Sequence, residues 1–93
     1  MAIELRLSRK FLKGIEASSD DERGRLESAL QSLQSQWGNP HAHSGLSIRR
    51  LTHNYYECRA GMDLRIVFMA DPLLLTLFFA GNHDDVRRYL RQF

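Results

Sequence analysis

Arginine and histidine residues recur in the second half of the chain, where apolar residues alone would account for folding. Arg59 and Arg65 each lie inside a run of β-forming residues, and His83 follows the last of these runs. A guanidinium group can donate two hydrogen bonds to a pair of charged oxygens, which suits it to phosphate. Histidine is the residue type whose charge changes near neutral pH. This combination is able to bind a phosphate and move a proton beside it.

Alternation of apolar and polar residues assigns the arginines to one face of a sheet. In two successive predicted strands every second residue is apolar: Tyr56, Cys58 and Ala60 in the first, and Leu64, Ile66 and Phe68 in the second. Successive side chains of a strand point to opposite faces. We therefore expect the apolar set to pack against helices, and Arg59 and Arg65 to lie on the opposite, open face. Arg49 or Arg50, from the preceding strand, would add another guanidinium group there.

Each of these residues also has a purely structural interpretation. The arginines can pair with Glu57, Asp63 or Asp85, and most surface ion pairs contribute little. Tyr89 lies on the apolar side of the last predicted helix, where its ring can simply be buried. Tyr55 is free to stack on a base or to pack on a loop. For the cluster of arginines together with His83, the structural and the functional interpretations are about equally favoured.

Motifs of other enzyme classes are absent from the sequence. It has no glycine-rich phosphate loop, no zinc-type spacing of cysteine and histidine, and no nucleophile elbow. His41 and His43 have the spacing to share a metal ion, but no third ligand is near, which favours a solvated loop. We expect no metal and no cofactor.

The elements that must position these residues follow the order β-α-α-β-β-β-β-α. Ile3 to Leu7 alternate as a strand, Ser8 caps a first helix, and Ser19 with Glu22 forms a capping box for a second. Gly38 and Pro40 end that helix. Two amphipathic helices make a hairpin that needs a sheet face to cover. The class is α+β: an N-terminal strand and helical hairpin on a small, mostly antiparallel sheet of four or five strands, with a C-terminal helix.

The segment that follows the arginine-bearing strands predicts a last strand and a last helix. Leu73 to Ala80 is nearly all apolar, which predicts a central strand covered on both sides. Asn82 or His83 starts the final helix, because Asp84 and Asp85 suit its first turn.

Length and composition limit the classes of protein to which this chain can belong. The 93 residues predict one domain, 1–93, and the net charge of +2 permits a polyanionic partner without requiring one. Cys58 is the single cysteine, so a reducing compartment is expected. Charges near the N-terminus argue against a signal peptide, and no apolar run approaches the ~20 residues of a membrane span. We expect a cytoplasmic protein with no membrane partner.

The chain resembles the RelE/ParE superfamily of bacterial type II toxins, and RelE-like cytotoxins in particular, over nearly its whole length. The segments that carry the resemblance are Leu51 and residues 56–59 (Tyr-Glu-Cys-Arg), 64–68 (Leu-Arg-Ile-Val-Phe) and 80–85 (Ala-Gly-Asn-His-Asp-Asp). The resemblance implies the same element order. It also implies an endoribonuclease that cuts messenger RNA in the ribosomal A site and is neutralised by an antitoxin from the same operon.

Site residues follow from the resemblance by position. Arg65 matches the arginine that stabilises the transition state, His83 the catalytic residue after the last strand, and Tyr89 a tyrosine of the C-terminal segment. RelE-like members carry two lysines where this chain has Tyr55 and Glu57. Glu57 is thus a candidate general base. The residues expected to contact RNA are Arg49, Arg50, Tyr55 and Arg59.

Two alternatives share the fold. ParE-like relatives lack the ribonuclease residues and poison DNA gyrase, and a toxin-fold protein without activity would serve only as a binding module for its antitoxin. The pair of Arg65 and His83 favours RNA cleavage, whereas Glu57 in place of a lysine weakens the attraction for RNA.

Overall fold

The structure is a computed structural model that describes residues 3–37, 47–61 and 63–92. Within these residues the elements follow the predicted order and the predicted α+β class. They are β1 (Glu4–Leu7), α1 (Arg9–Ala17), α2 (Asp20–Gln36), β2 (Arg49–Thr52), β3 (Tyr55–Arg59), β4 (Arg65–Asp71), β5 (Leu74–Gly81) and α3 (His83–Leu90). Gly38, Pro40, His41 and His43 lie outside the described residues.

The strands form one sheet in the order β1-β5-β4-β3-β2. β1 runs parallel to β5, and the other neighbours are antiparallel, so the sheet is mostly antiparallel as predicted. β5 therefore has a strand on each side within the sheet. Leu75 and Leu77 are buried, whereas the other residues of β5 are half-buried. None of the helices in the described part of the chain is long and apolar enough to cross a membrane.

Ser8 fixes the start of α1 on β5. Its Oγ accepts a hydrogen bond from the backbone N–H of Phe11 at 3.1 Å and donates to the backbone oxygen of Phe78 at 3.1 Å. The backbone N–H of Ser8 also donates to the oxygen of Leu77, at 3.0 Å. One residue thus caps the helix and ties its first turn to the sheet.

The helical hairpin covers one face of the sheet, as the alternation predicts. Ser19 and Glu22 form the predicted capping box of α2, and the hydrogen bonds from Ser19 lower the pKa of Glu22. Trp37 then packs edge-on against Tyr56 and Phe68. The fully buried residues of this layer are Phe11, Leu26, Leu33, Cys58, Ile66, Phe68, Leu75 and Leu77.

The opposite face is partly covered by α3. Val67 and Val86 are both buried, and the ring of Tyr89 stacks on Phe79 with centroids 4.7 Å apart. Phe79 lies opposite Val67 in the β4–β5 pairing. Val67 is two residues from Arg65 in β4, so the alternation that puts Arg65 on the open face also puts Val67 there. The structure instead buries Val67, because α3 folds back onto the ends of β4 and β5.

A register shift in β5 changes which aromatic rings reach that face. Val67 pairs with Phe79 but Phe68 pairs with Leu77, so Phe78 is left as an extra residue between them. The Phe78 ring lies 5.9 Å from the ring of Tyr55, while the Phe79 ring stacks on Tyr89. Two consecutive phenylalanines therefore contact tyrosines of the same face.

Candidate active site

Arg65 and His83 line one cleft at the end of the β4–β5 ladder. Arg65 lies opposite Gly81 in the strand pairing, and His83 follows two residues later as the first residue of α3. The cleft has a volume of about 420 Å³ and is lined by Asp63, Arg65, Asn82, His83 and Asp84. The imidazole and the guanidinium group that the sequence singles out therefore face the same space.

Gly81 and Asn82 set the sharp entry into α3 that places His83 there. A Cβ on Gly81 would lie 2.7 Å from the Cβ of Asp85, so a larger residue would push the helix away from the strand. The Asn82 side chain accepts a hydrogen bond from the backbone N–H of Asp85 at 2.8 Å, and Asp85 accepts one from the N–H of Asn82 at 3.1 Å. This capping box fixes the first turn against the end of β5.

Glu57 lies between two arginines of the site. Its side chain is 5% exposed, and its Oε1 is 2.7 Å from Nη2 of Arg49 and 3.4 Å from Nη1 of Arg65. The side chain of Arg65 is 21% exposed, whereas that of Arg49 is 67% exposed. The carboxylate therefore holds Arg65 in place and offsets part of its charge, and it lies outside the wall of the His83 cleft.

The structure distinguishes Arg49 from Arg50, which the sequence left as alternatives. Arg49 pairs with Glu57 across β2 and β3, so the two residues share a face. Arg50 pairs with Tyr56 and donates from Nε to the backbone oxygen of His53, in the turn that follows β2. Arg49 joins the cluster around Arg65, and Arg50 does not.

Arg59 lies directly opposite Arg65 in the β3–β4 pairing, and its side chain is exposed. Residues directly opposite each other point to the same face, and like charges in that position repel. Arg59 forms no ion pair with any residue that the structure describes. Two arginines thus share this face, and among the described residues only Arg65 is paired with a carboxylate, so the face retains positive charge for an anion.

Tyr89 lies outside the Arg65–His83 cleft, in a second cleft next to it. Its ring stacks on Phe79 with an interplanar angle of 1°, and Nζ of Lys10 is 4.9 Å from its centroid. Burial, and secondarily the nearby Tyr55, raises the pKa of Tyr89. Its hydroxyl therefore keeps its proton at neutral pH and is a hydrogen-bond donor rather than a base.

Other chemistry in the described residues is limited. Cys58 is buried in the hairpin layer, and burial, with a smaller contribution from Glu57, raises the pKa of its thiol to about 12. That thiol is unreactive as a nucleophile at neutral pH. Residues 3–37, 47–61 and 63–92 contain no group of three metal-ligating side chains, and His41 and His43 fall outside these ranges.

Sequence reasoning missed Lys10 and Phe79. Lys10 belongs to the polar side of α1, and Phe79 belongs to an apolar run in which parity is broken by the extra residue Phe78. Local sequence carries no signal that brings the first helix next to the last one.

Comparison with known proteins identifies the fold. No protein-family model matches the sequence, and the search of curated proteins found no match. A chain of the archaeal RelE–RelB complex from Pyrococcus horikoshii matches with a TM-score of 0.71 and 12% identity, covering 88% of this chain and 96% of that one. YafQ from E. coli matches with a TM-score of 0.71 and 15% identity, over 90% and 97%.

A free mutant of the E. coli toxin RelE matches over the greater part of both chains. The TM-score is 0.71 at 16% identity, covering 97% of this chain and 93% of that one. At such identities the likeness establishes the fold. The chain has the fold of RelE-type toxins, which confirms the fold that the resemblance predicts.

Proposed function

We propose that this protein is the toxin of a type II toxin–antitoxin system and that it cleaves messenger RNA on the ribosome. The observation that carries the proposal is the shared cleft of Arg65 and His83 within a RelE-type fold. Cleavage of a phosphodiester by a neighbouring hydroxyl places extra charge on the phosphate and needs proton transfers. A guanidinium group can stabilise that charge, and an imidazole can perform one of the transfers.

The reaction is an internal transesterification. The ribose 2′-oxygen attacks the adjacent phosphorus, the bond from phosphorus to the 5′-oxygen breaks, and a 2′,3′-cyclic phosphate and a 5′-hydroxyl result. One proton leaves the 2′-hydroxyl and one reaches the departing 5′-oxygen. His83 performs one of these transfers, and a ribosomal group performs the other. The ribosome would supply the alignment of the reacting atoms.

Arginines stabilise the charge that develops on the phosphate. Arg65 is half-buried and held by Glu57, so little reorganisation is needed when the charge forms. Arg59 faces it across the strand pair, and Arg49 reaches the same carboxylate from the exposed edge. The arginines of this cluster repel each other, and that repulsion falls when a phosphate binds among them. Tyr55, on the same face as Glu57, completes the proposed RNA-binding set.

A cognate antitoxin is the proposed protein partner. The solved structures with this fold include the RelE–RelB and DinJ–YafQ complexes. Leu12, on the outer side of α1, and Leu73 are exposed large apolar residues of the described chain. An antitoxin helix or strand laid across the helical hairpin or the arginine-bearing face would cover apolar surface and cationic groups.

The test substitutes the two residues of the cleft. We expect His83→Ala to lower the cleavage rate about 10²- to 10⁴-fold, since a positioned acid or base contributes that much. Arg65→Ala should cost about 10²- to 10³-fold through lost charge stabilisation. The measurement is cleavage of a defined message by the purified protein on ribosomes, with the 2′,3′-cyclic phosphate end identified chemically.

Matched controls separate chemistry from folding. Arg9→Ala removes an exposed arginine from α1, and His53→Asn replaces a histidine in a turn whose φ of 48° asparagine tolerates. Both controls should retain cleavage and growth arrest. Arrest with filamentation, DNA damage and uncut messages would instead indicate a gyrase target. A stable, folded protein that arrests nothing would be a binding module.

A further inference from the structure

The wall of the Arg65–His83 cleft carries carboxylates that a site for phosphate alone does not need. Asp63 and Asp84 line the cleft together with Arg65 and His83, and both are exposed. A carboxylate accepts hydrogen bonds, donates none and repels a phosphate. Each of these two residues therefore requires an explanation other than phosphate binding.

Asp84 has a structural explanation. It lies in the first turn of α3, where the helix dipole stabilises a negative charge. It also lines a separate cleft with three arginines of the same helix, Arg87, Arg88 and Arg91. Its charge is therefore offset locally, and it needs no ligand.

Asp63 has no such surroundings. It lies outside the helices and strands, two residues before Arg65. The sequence offered it as an ion-pair partner for the arginines, but Arg65 pairs with Glu57 instead. Asp63 forms no ion pair with any residue that the structure describes. Its carboxylate is therefore available to a ligand that donates hydrogen bonds.

A tight turn holds Asp63 beside the cleft. The backbone N–H of Ala60 donates to the oxygen of Leu64 at 2.8 Å, which closes the turn between β3 and β4. Gly61 has a φ of 94°, and a Cβ at this position would lie 2.8 Å from Cδ of Arg25 on α2. A larger residue would be strained here and would push the turn away from the helix. The carboxylate is thus carried by a segment that is anchored in the sheet and packed against α2.

The ligand that fits an acceptor beside a phosphate site is a base with adjacent hydrogen-bond donors. Unpaired bases of single-stranded RNA are read on their Watson–Crick edges. Guanine presents a ring N–H and an amino group side by side on this edge, and these match the two oxygens of one carboxylate. Adenine and cytosine offer an amino group beside an acceptor, and uracil offers a ring N–H between acceptors. Of the four bases, guanine therefore suits Asp63 best.

We propose that Asp63 is a specificity-determining residue that selects a guanine next to the scissile phosphate. Its carboxylate accepts both hydrogen bonds of the guanine edge, while Arg65 and His83 act on the phosphate. A base and its phosphate are joined through one ribose, so neighbouring parts of the cleft can hold both. The inference rests on the proposed function and deepens it, because it names the base that a message should carry at the cleavage position.

Oligonucleotides that cannot be cleaved test the base preference. The probes are fluorescein-labelled 2′-O-methyl uridine trimers in which guanosine, inosine or adenosine replaces one uridine, at each position in turn. Binding to the whole protein is followed by anisotropy at low ionic strength, with EDTA present so that no divalent ion bridges the carboxylate and a phosphate. At one position we expect guanosine to bind about 5- to 150-fold more tightly than adenosine or uridine, the discrimination of one bidentate contact. Inosine, which lacks the amino group, should fall in between.

Asp63→Asn changes the pattern of donors and acceptors at constant size. An amide offers one acceptor and one donor, which matches the amino group and ring nitrogen of adenine. We therefore expect the preference to change from guanosine to adenosine. Asp84→Asn removes the same charge from the same cleft. Both variants should bind every probe more tightly because repulsion of the phosphates falls, but Asp84→Asn should keep the guanosine preference.

Cleavage on ribosomes is the second measurement. The messages differ only in the base next to the cut. The wild-type protein should cleave the guanine message fastest, and Asp63→Asn should cleave the adenine message fastest. Asp63 is exposed, so both variants are expected to fold, which circular dichroism checks.

Several outcomes would overturn the assignment of Asp63. These are equal binding of all probes by the wild-type protein, an unchanged guanosine preference in Asp63→Asn, and loss of that preference in Asp84→Asn as well. An equal fall in cleavage of all messages in Asp63→Asn, with the preferred base unchanged, would instead make Asp63 a proton-transfer group.

The two measurements also separate this inference from the proposed function. Cleavage of every message at the same rate refutes base selection alone. A guanosine preference in binding without any cleavage refutes the proposed function alone. A protein that neither binds the probes nor cleaves the messages counts against both.

Discussion

At the scale of single residues, Glu57 has the most unusual environment in the described chain. It is the buried charged residue of the sheet, and one of its oxygens contacts both Arg49 and Arg65. Burying a carboxylate is costly unless it is paired, and this one is paired twice. The arginines would repel each other without it. Its geometry therefore favours the role of a positioning residue over that of a general base.

Substitution of Glu57 distinguishes these roles. We expect Glu57→Gln to lower the cleavage rate by less than about tenfold, since loss of a general base costs about 10²- to 10⁴-fold. The pH dependence of the rate should keep its shape. Rates measured across pH on ribosomes check both expectations. A large loss together with disappearance of the acidic limb of the profile would identify Glu57 as the base.

At the scale of elements, a capping box begins both α2 and α3, and these two helices have different roles. Ser19 and Glu22 cap α2, which only packs, and Asn82 and Asp85 cap α3, which carries His83 and Tyr89. The sequence predicts the capping box of α2 from its residue types and three-residue spacing. For α3 it left Asn82 and His83 as alternative starts, and the structure makes Asn82 the cap. Only the cap of α3 orients groups of the candidate site.

This difference yields a paired prediction. Asn82→Ala and Ser19→Ala should each lower the free energy of unfolding by about 1 kcal/mol, the usual cost of losing an N-cap. Urea denaturation measures that cost. Cleavage should fall in Asn82→Ala and stay unchanged in Ser19→Ala, because only the former shifts His83 away from Arg65. Equal activity in the two variants would argue that the α3 cap has no part in positioning the site.

At the scale of the whole molecule, the sheet separates a large apolar layer from a small one. The hairpin layer contains residues such as Leu33 and Phe68 with no exposed surface. The layer beneath α3 is built on Val67 and Val86 and borders the polar site. Stability is therefore expected to come mostly from the first layer, and the second to hold α3 in place.

Shortening one buried side chain on each side of the sheet tests whether the two layers have these separate roles. Leu33→Ala should lower the free energy of unfolding by about 2–5 kcal/mol, a large part of the ~5–15 kcal/mol of a small domain. Val86→Ala removes less apolar volume and should cost about 1–2 kcal/mol at ~0.8 kcal/mol per buried methylene. Denaturation curves give both values. Cleavage per folded molecule should nevertheless fall further in Val86→Ala; the reverse order would contradict the division.

The sequence by itself determined the element order, the caps of α1 and α2, and which residues of β3 and β4 face the helical hairpin. These properties are local, since caps depend on residues three apart and parity on neighbours in one strand. The same parity placed Arg59 and Arg65 on one face and Cys58, Ile66 and Phe68 on the other. His83 was placed at the start of the last helix for equally local reasons.

Only the tertiary structure decided how these parts meet. The extra residue Phe78, the return of α3 onto Val67, the choice of Arg49 over Arg50 and the approach of Lys10 to Tyr89 all depend on contacts between distant segments. A register shift of one residue moves a side chain to the other face, and no local pattern fixes it when a strand is apolar throughout. Pairing and packing across the sheet therefore set the shape of the site, whereas the sequence had already supplied most of its chemical groups.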